Sequence, residues 1–63
     1  MKFWFFGDGG KTLVACVECS IEFARRHADL YNRDSTSAPK IDLIADNKDP
    51  DQASIRIAVS TDA

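Results

Sequence analysis

The chain has 63 residues, which suffices for one domain, 1–63, with a single small hydrophobic core. Its formal net charge of -2 argues against direct nucleic-acid binding, because such binding needs a basic surface that releases counterions from phosphates. The apolar run at residues 3–6 is too short for a membrane span or a signal peptide, and the two cysteines fit a reducing compartment. We therefore expect a cytoplasmic protein that does not bind membranes.

The first predicted element is a β-hairpin. Residues 2–6 are rich in aromatic side chains and predict a strand, and the glycines in the turn at residues 7–10 allow the positive φ angles of tight hairpins. Residues 12–18 alternate between two faces and predict the returning strand.

An amphipathic helix is predicted next. Ser20 is a suitable N-cap, and the helix should end near residues 32–34, before a polar linker that runs through Pro39. The apolar residues at helical spacing are Ile21, Phe23, Ala24, His27, Ala28, Leu30 and Tyr31.

A second hairpin completes the chain. Residues 40–46 and 54–60 alternate in polarity, and the segment 47–51 between them has turn composition. The element order β-β-α-β-β predicts an α+β fold, a four-stranded antiparallel sheet with one helix packed on one face. The sequence does not determine the order of the strands across the sheet.

Strict alternation assigns the strand residues to two faces. The residues predicted to face the helix are Phe3, Phe5, Leu13, Ala15, Val17, Ile41, Leu43, Ile55, Ile57 and Val59. Those predicted to face away are Trp4, Phe6, Val14, Cys16, Ile44 and Ala58. One helix cannot cover both sides, so we expect the second side to bind a partner or form a homodimer. The alternative is shielding by the side chains of Lys2, Thr12 and Arg56.

Cys16 and Cys19 match the C-x-x-C pattern of thiol redox proteins. In those proteins the first cysteine lies at a helix N-terminus, whereas here both cysteines precede Ser20. On a strand the two side chains also point to opposite faces, so we favour structural cysteines. Zinc is disfavoured because only His27 could join them, and a small thiol redox or metal module stays an open alternative.

Two further motif matches fail on spacing. Residues 10–12 resemble the end of a phosphate-binding loop, but Phe5 replaces its first glycine and a strand follows where the motif needs a helix. Asp46, Asp49 and Asp51 suggest calcium, but the loop lacks the required glycine and the terminal glutamate. We predict no cofactor and no metal.

The sequence also lacks a recognisable arrangement of catalytic residues. His27 is the only histidine, and its place on the apolar side of the predicted helix favours a role at the edge of the core. Neither cysteine is placed to be activated by it, and a domain of this size rarely forms a cleft that shifts carboxylate pKa values. We expect a protein that is not an enzyme.

The acidic residues are concentrated in the second half of the chain. From Asp34 onward six aspartates oppose three cations, and within 42–51 only Lys48 accompanies four aspartates, Asp42, Asp46, Asp49 and Asp51. A field of one sign steers association with a positively charged partner. These carboxylates could imitate the phosphates of a nucleic acid, or they could only keep a small protein in solution.

In size, acidity, single-domain α+β build and lack of catalytic residues, the chain resembles the small phage-encoded anti-CRISPR proteins, in particular those that mimic DNA against type I surveillance complexes. The resemblance implies a stoichiometric inhibitor in the bacterial host cytoplasm. Its partner would be a larger basic protein, a nucleic-acid-binding Cas subunit, whose access to target DNA it would block. No residue is transferred by motif, so Asp42, Asp46, Asp49 and Asp51 are candidates from charge alone.

Another class of function stays open beside the redox or metal module. A small antitoxin or regulatory subunit would bind its partner through the apolar side of the sheet, with Trp4 and Phe6 as the aromatic contacts and Val14 and Ile44 beside them.

Overall fold

Both predicted hairpins and the helix between them are present in the computed structural model, which describes residues 1–34 and 40–60. The elements are β1 (Lys2–Gly7), β2 (Thr12–Glu18), α1 (Ile21–Asp34), β3 (Ile41–Ala45), a 3₁₀ helix (Pro50–Gln52) and β4 (Arg56–Ala58). All strand pairs are antiparallel, and the order across the sheet is β2-β1-β3-β4. This confirms the predicted α+β fold and adds the central pairing of β1 with β3. The predicted linker at residues 35–39 lies outside the described residues.

The helix begins directly after Ser20, its predicted N-cap. The Phe23 N–H donates to Ser20 Oγ at 3.2 Å, and the Ala24 N–H donates to the Ser20 carbonyl oxygen at 2.9 Å. The hydroxyl thus satisfies one of the N–H groups that the first helical turn leaves unpaired.

The helix packs on the sheet through small side chains. Ala24 and Ala28 are fully buried and form one core cluster with Phe3, Phe5, Ile41 and Ile44, which are also at 0% exposure. Alanines at the contact let the helix lie close to the aromatic rings of β1. The buried stripe is narrower than predicted, because Ile21, Phe23 and Leu30 are exposed.

Asn32 fixes the end of the helix to the start of β3. Its side-chain Nδ2 donates to the Ile41 carbonyl oxygen, and its Oδ1 accepts from the Ile41 N–H, both at 2.8 Å. The amide therefore bonds to both backbone groups of Ile41, as a residue of a neighbouring strand would. Among the described residues, Asn32 is the polar residue that is buried, and its hydrogen bonds satisfy it there. This role of Asn32 was not predicted from the sequence.

A bulge in β2 overturns part of the predicted face assignment. Phe5 pairs with Ala15 but Phe6 pairs with Leu13, so Val14 is the extra residue. Leu13 was predicted to face the helix, but it shares the opposite side with Phe6 and is 53% exposed. Val14 was predicted to face away, but it packs against the core cluster.

A second bulge shifts β3 in the same way. Phe6 pairs with Leu43 and Gly7 with Ile41, so Asp42 is the extra residue. Ile44 was predicted to face away and is instead fully buried in the core opposite Phe5, while Leu43 lies on the side predicted for Ile44. The far face, the side of the sheet away from the helix, therefore has the apolar members Trp4, Phe6, Leu13, Cys16, Leu43, Ala45 and Ala58.

The fourth strand is shorter than the predicted 54–60. The N–H groups of Ser54 and Ile55 donate to the carboxylate of Asp46, at 2.8 and 3.1 Å. The loop before β4 is thus held by a side chain, and the strand itself is Arg56–Ala58.

Candidate functional site

Three of the four candidate aspartates lie together in the loop between β3 and β4. We call residues 46–51 the acidic loop; its charged members are Asp46, Lys48, Asp49 and Asp51. Asp46 directly follows β3, and its N–H continues the ladder by donating to the Ile55 carbonyl oxygen at 3.2 Å. The loop therefore begins on the rigid part of the sheet.

Side-chain hydrogen bonds give the acidic loop its shape. The Asp49 N–H donates to Asn47 Oδ1 at 2.9 Å, and the Asp51 N–H donates to Asp49 Oδ1 at 3.1 Å. Asp49 is the N-cap of the 3₁₀ helix, whose first residue, Pro50, needs no N–H partner. Backbone N–H donors thus hold the carboxylates of Asp46 and Asp49, and the side chains of Asp49 and Asp51 are exposed.

The acidic loop is not neutralised from within the described part of the chain. The ion pair found there joins Arg33 to Asp29 on the helix at 3.4 Å, and no carboxylate of the acidic loop forms an ion pair within residues 1–34 and 40–60. No group of three or more histidine, cysteine or acidic side chains in 1–34 and 40–60 is arranged to hold a metal ion. The loop thus carries three acidic groups and a single lysine at its surface.

Asp42 is separated from the other three candidates. It lies at the end of β3 that pairs with Gly7, whereas Asp46 follows the end that pairs with Trp4. They are four positions apart along the strand, a distance of about 13 Å. Its Oδ2 accepts from the Gly9 N–H at 2.7 Å, and its Oδ1 is buried with no hydrogen-bond partner among the described residues. Asp42 therefore holds the turn between β1 and β2.

The far face is partly covered by the protein itself. Phe6 is only 4% exposed, so a partner can reach little of its ring. The Lys2 ammonium lies 5.6 Å from the centre of the Trp4 ring, a cation–π contact that shields this side chain. Leu13 remains 53% exposed beside them. Leu13 is thus an exposed apolar side chain on this face, and Trp4 and Leu43 are half-buried beside it.

The two cysteines lie in different surroundings. Cys16 is exposed on the far face opposite Trp4, whereas Cys19 is half-buried and packs against the core cluster on the helix side. The Cys19 N–H donates to the Met1 carbonyl oxygen at 2.8 Å. Both thiols are free.

His27 lies at the edge of the core. Its ring is 5.3 Å from the ring of Phe5 and stacks with Phe23 at 6.4 Å. Beside it is a shallow surface depression lined by His27, Leu30, Tyr31 and Asp34.

No helix in the described residues is long and apolar enough to cross a membrane. A comparison with protein-family models, a search of the curated proteins and a search of the solved structures each found no match.

Proposed function

We propose that this protein is a stoichiometric inhibitor whose acidic loop docks on a basic, nucleic-acid-binding surface of a larger protein. A Cas subunit of a type I surveillance complex in the bacterial cytoplasm is the partner that the resemblance to anti-CRISPR proteins implies. The loop then takes the place of DNA phosphates and keeps target DNA from binding.

The lack of an ion pair on Asp46, Asp49 or Asp51 within residues 1–34 and 40–60 carries the proposal. An internal salt bridge would cancel the field of Asp46, Asp49 and Asp51, and within the described ranges none is formed. Their negative potential is therefore available to steer and bind a lysine- or arginine-rich surface.

Preorganisation of the loop supports the same proposal. Asp46 and Asp49 are held by backbone N–H donors, so less side-chain freedom is lost when they bind. The donors are neutral amides, so they add no positive charge to the acidic loop.

The small number of aspartates in the acidic loop limits the length of DNA that the loop can imitate. Duplex DNA carries one negative charge per about 1.7 Å of axis, so three aspartates replace only a few phosphates. We therefore place the contact at a short DNA-reading surface, such as the one that recognises the protospacer-adjacent motif, where the protein reads a short duplex.

Displacement of target DNA tests the proposal. Purified type I surveillance complex is bound to labelled target DNA, and the protein is added while the bound fraction is followed by electrophoretic mobility shift. We expect the wild type to release the DNA near equimolar amounts. The triple variant Asp46→Asn, Asp49→Asn, Asp51→Asn should need at least about tenfold more protein, because asparagine keeps the loop's acceptor oxygens but removes their charge.

A matched variant shows whether the effect depends on the position of the aspartates or only on the net charge of the protein. Asp8→Asn, Asp29→Asn and Asp34→Asn together remove the same number of charges from exposed sites away from the acidic loop. This variant should release DNA like the wild type. If the wild type leaves the DNA bound, or if both triple variants are weakened equally, the proposal is wrong.

The far face is the second candidate surface, favoured by the exposure of Leu13 and the remaining access to Trp4. An antitoxin or regulatory subunit would bind its partner there. Binding that survives the triple loop variant but is lost in Trp4→Ala would support this function instead.

A further inference from the structure

The two edges of the sheet are protected very differently. β4 is an edge strand of three residues with a charged residue, Arg56, at its start. β2, the other edge, has seven residues and carries no proline and no charge between Lys11 and Glu18. Long uncharged edges pair readily with another strand, and natural proteins normally block them.

We propose that two copies of this chain associate through β2, antiparallel and about a twofold axis between Val14 and Ala15, to form one eight-stranded sheet. The proposal is independent of the partner of the acidic loop, because β1 separates β2 from β3 in the sheet.

The directions of the backbone groups follow from one hydrogen bond. The Cys19 N–H donates to the Met1 carbonyl oxygen. In this register residues 19, 17 and 15 therefore direct their backbone N–H and C=O groups toward β1. Cys16 and Glu18 therefore direct their N–H and C=O groups outward. The bulge at Val14 shifts this alternation by one residue, so on its other side Leu13 directs its backbone groups outward. Lys11 lies in the turn before β2, where its N–H donates to the Asp8 carbonyl oxygen at 3.4 Å.

Leu13 and Cys16 are placed symmetrically about the centre of β2, and so are Lys11 and Glu18. In the proposed pairing Leu13 lies opposite Cys16 of the second copy, and Lys11 lies opposite Glu18. The outward backbone groups of Leu13 and Cys16 then meet each other across the axis, whereas Lys11 and Glu18 meet through their side chains. A slip by one or two residues would set at least one of the outward groups against a residue that points toward β1.

The faces on which the side chains lie support the same register. Leu13 and Cys16 both lie on the far face, as directly paired residues must, and both are exposed in the single chain. The pairing of Lys11 with Glu18 brings opposite charges together twice around the axis. Charge complementarity and the fit of the bulge thus select a second copy of this chain as the occupant of this edge.

Mass measured by sedimentation equilibrium over a range of concentrations tests the dimer. The wild type should approach twice the monomer mass of 7.0 kDa. Cys16→Pro removes an outward N–H from each copy without removing a bond to β1, and it should weaken association at least about tenfold. Ala58→Pro is the matched control in β4. The pairs 46–55 and 42–59 are hydrogen-bonded, so by alternation the pair 43–58 is not, and the Ala58 N–H is directed away from β3.

A charge exchange tests the register itself. Lys11→Glu sets like charges opposite each other and should weaken the dimer, and adding Glu18→Lys should restore it. Circular dichroism reports whether each variant is folded. A wild type that stays monomeric at every concentration would overturn the proposal, as would a folded Cys16→Pro that dimerises like the wild type. Equal weakening by Lys11→Glu with and without Glu18→Lys would overturn the register.

Discussion

Replacement of Asn32 by leucine should lower the free energy of unfolding by about 2–4 kcal/mol. The amide makes two hydrogen bonds of 2.8 Å to Ile41, and leucine would leave the Ile41 N–H and C=O unpaired in a buried place. Each buried group left without a partner costs about 1–3 kcal/mol. A domain of this length has a total stability of about 3–9 kcal/mol, so the substitution should remove a large share of it.

Urea unfolding followed by circular dichroism measures this loss, with Asn47→Ala as the control. The Asn47 side chain accepts one exposed hydrogen bond, from the Asp49 N–H, so its removal should cost less than about 1 kcal/mol. Equal midpoints for the two variants would contradict the role of Asn32 in joining the helix to β3.

Salt should weaken the complex with the basic partner strongly. Between about 0.1 M and 1 M salt the Debye length falls from about 10 Å to about 3 Å, which screens exposed charges from one another. The acidic loop is at the surface, so we expect at least a tenfold rise in the dissociation constant over this range, equivalent to about 1.4 kcal/mol.

Isothermal titration calorimetry of the protein with the purified partner at both salt concentrations checks this expectation. The triple variant Asp46→Asn, Asp49→Asn, Asp51→Asn should bind weakly at low salt and change little when salt is added. Affinity that is independent of salt in the wild type would instead point to the far face, where apolar contacts around Trp4 are insensitive to screening.

The element order was predictable because each signal is local. Ser20 caps a helix through its own side chain, and the alternation of residues 12–18 needs no knowledge of the neighbouring strand. The pairing of β1 with β3 is a contact between distant segments, and no residue pattern specified it.

The errors in face assignment came from the two bulges. Val14 and Asp42 are ordinary strand residues in the sequence, yet each is an extra residue in its ladder and reverses the alternation beyond it. Bulges depend on how strands fit one another, so alternation alone placed Leu13, Leu43 and Ile44 on the wrong sides.

Asn32 could have been found from helical spacing. It follows Ala24 and Ala28 at intervals of four, which places a polar side chain in line with the buried stripe. A buried amide must find partners, and this requirement is a signal for a tertiary hydrogen bond.

Counting charges gave only part of the candidate site. Asp46, Asp49 and Asp51 lie in one loop, as their closeness in sequence requires. The carboxylate of Asp42 is instead used to bind the Gly9 N–H, and the sequence could not show this because the bond spans 33 positions.

Backbone amide chemical shifts of the isotope-labelled protein, recorded with and without the purified Cas subunit, test most directly which surface binds. The account predicts that the largest changes fall on residues 46–51 and leave Trp4 and Leu13 almost unmoved. Changes confined to Trp4, Leu13 and their neighbours on the far face, with an unperturbed acidic loop, would contradict it.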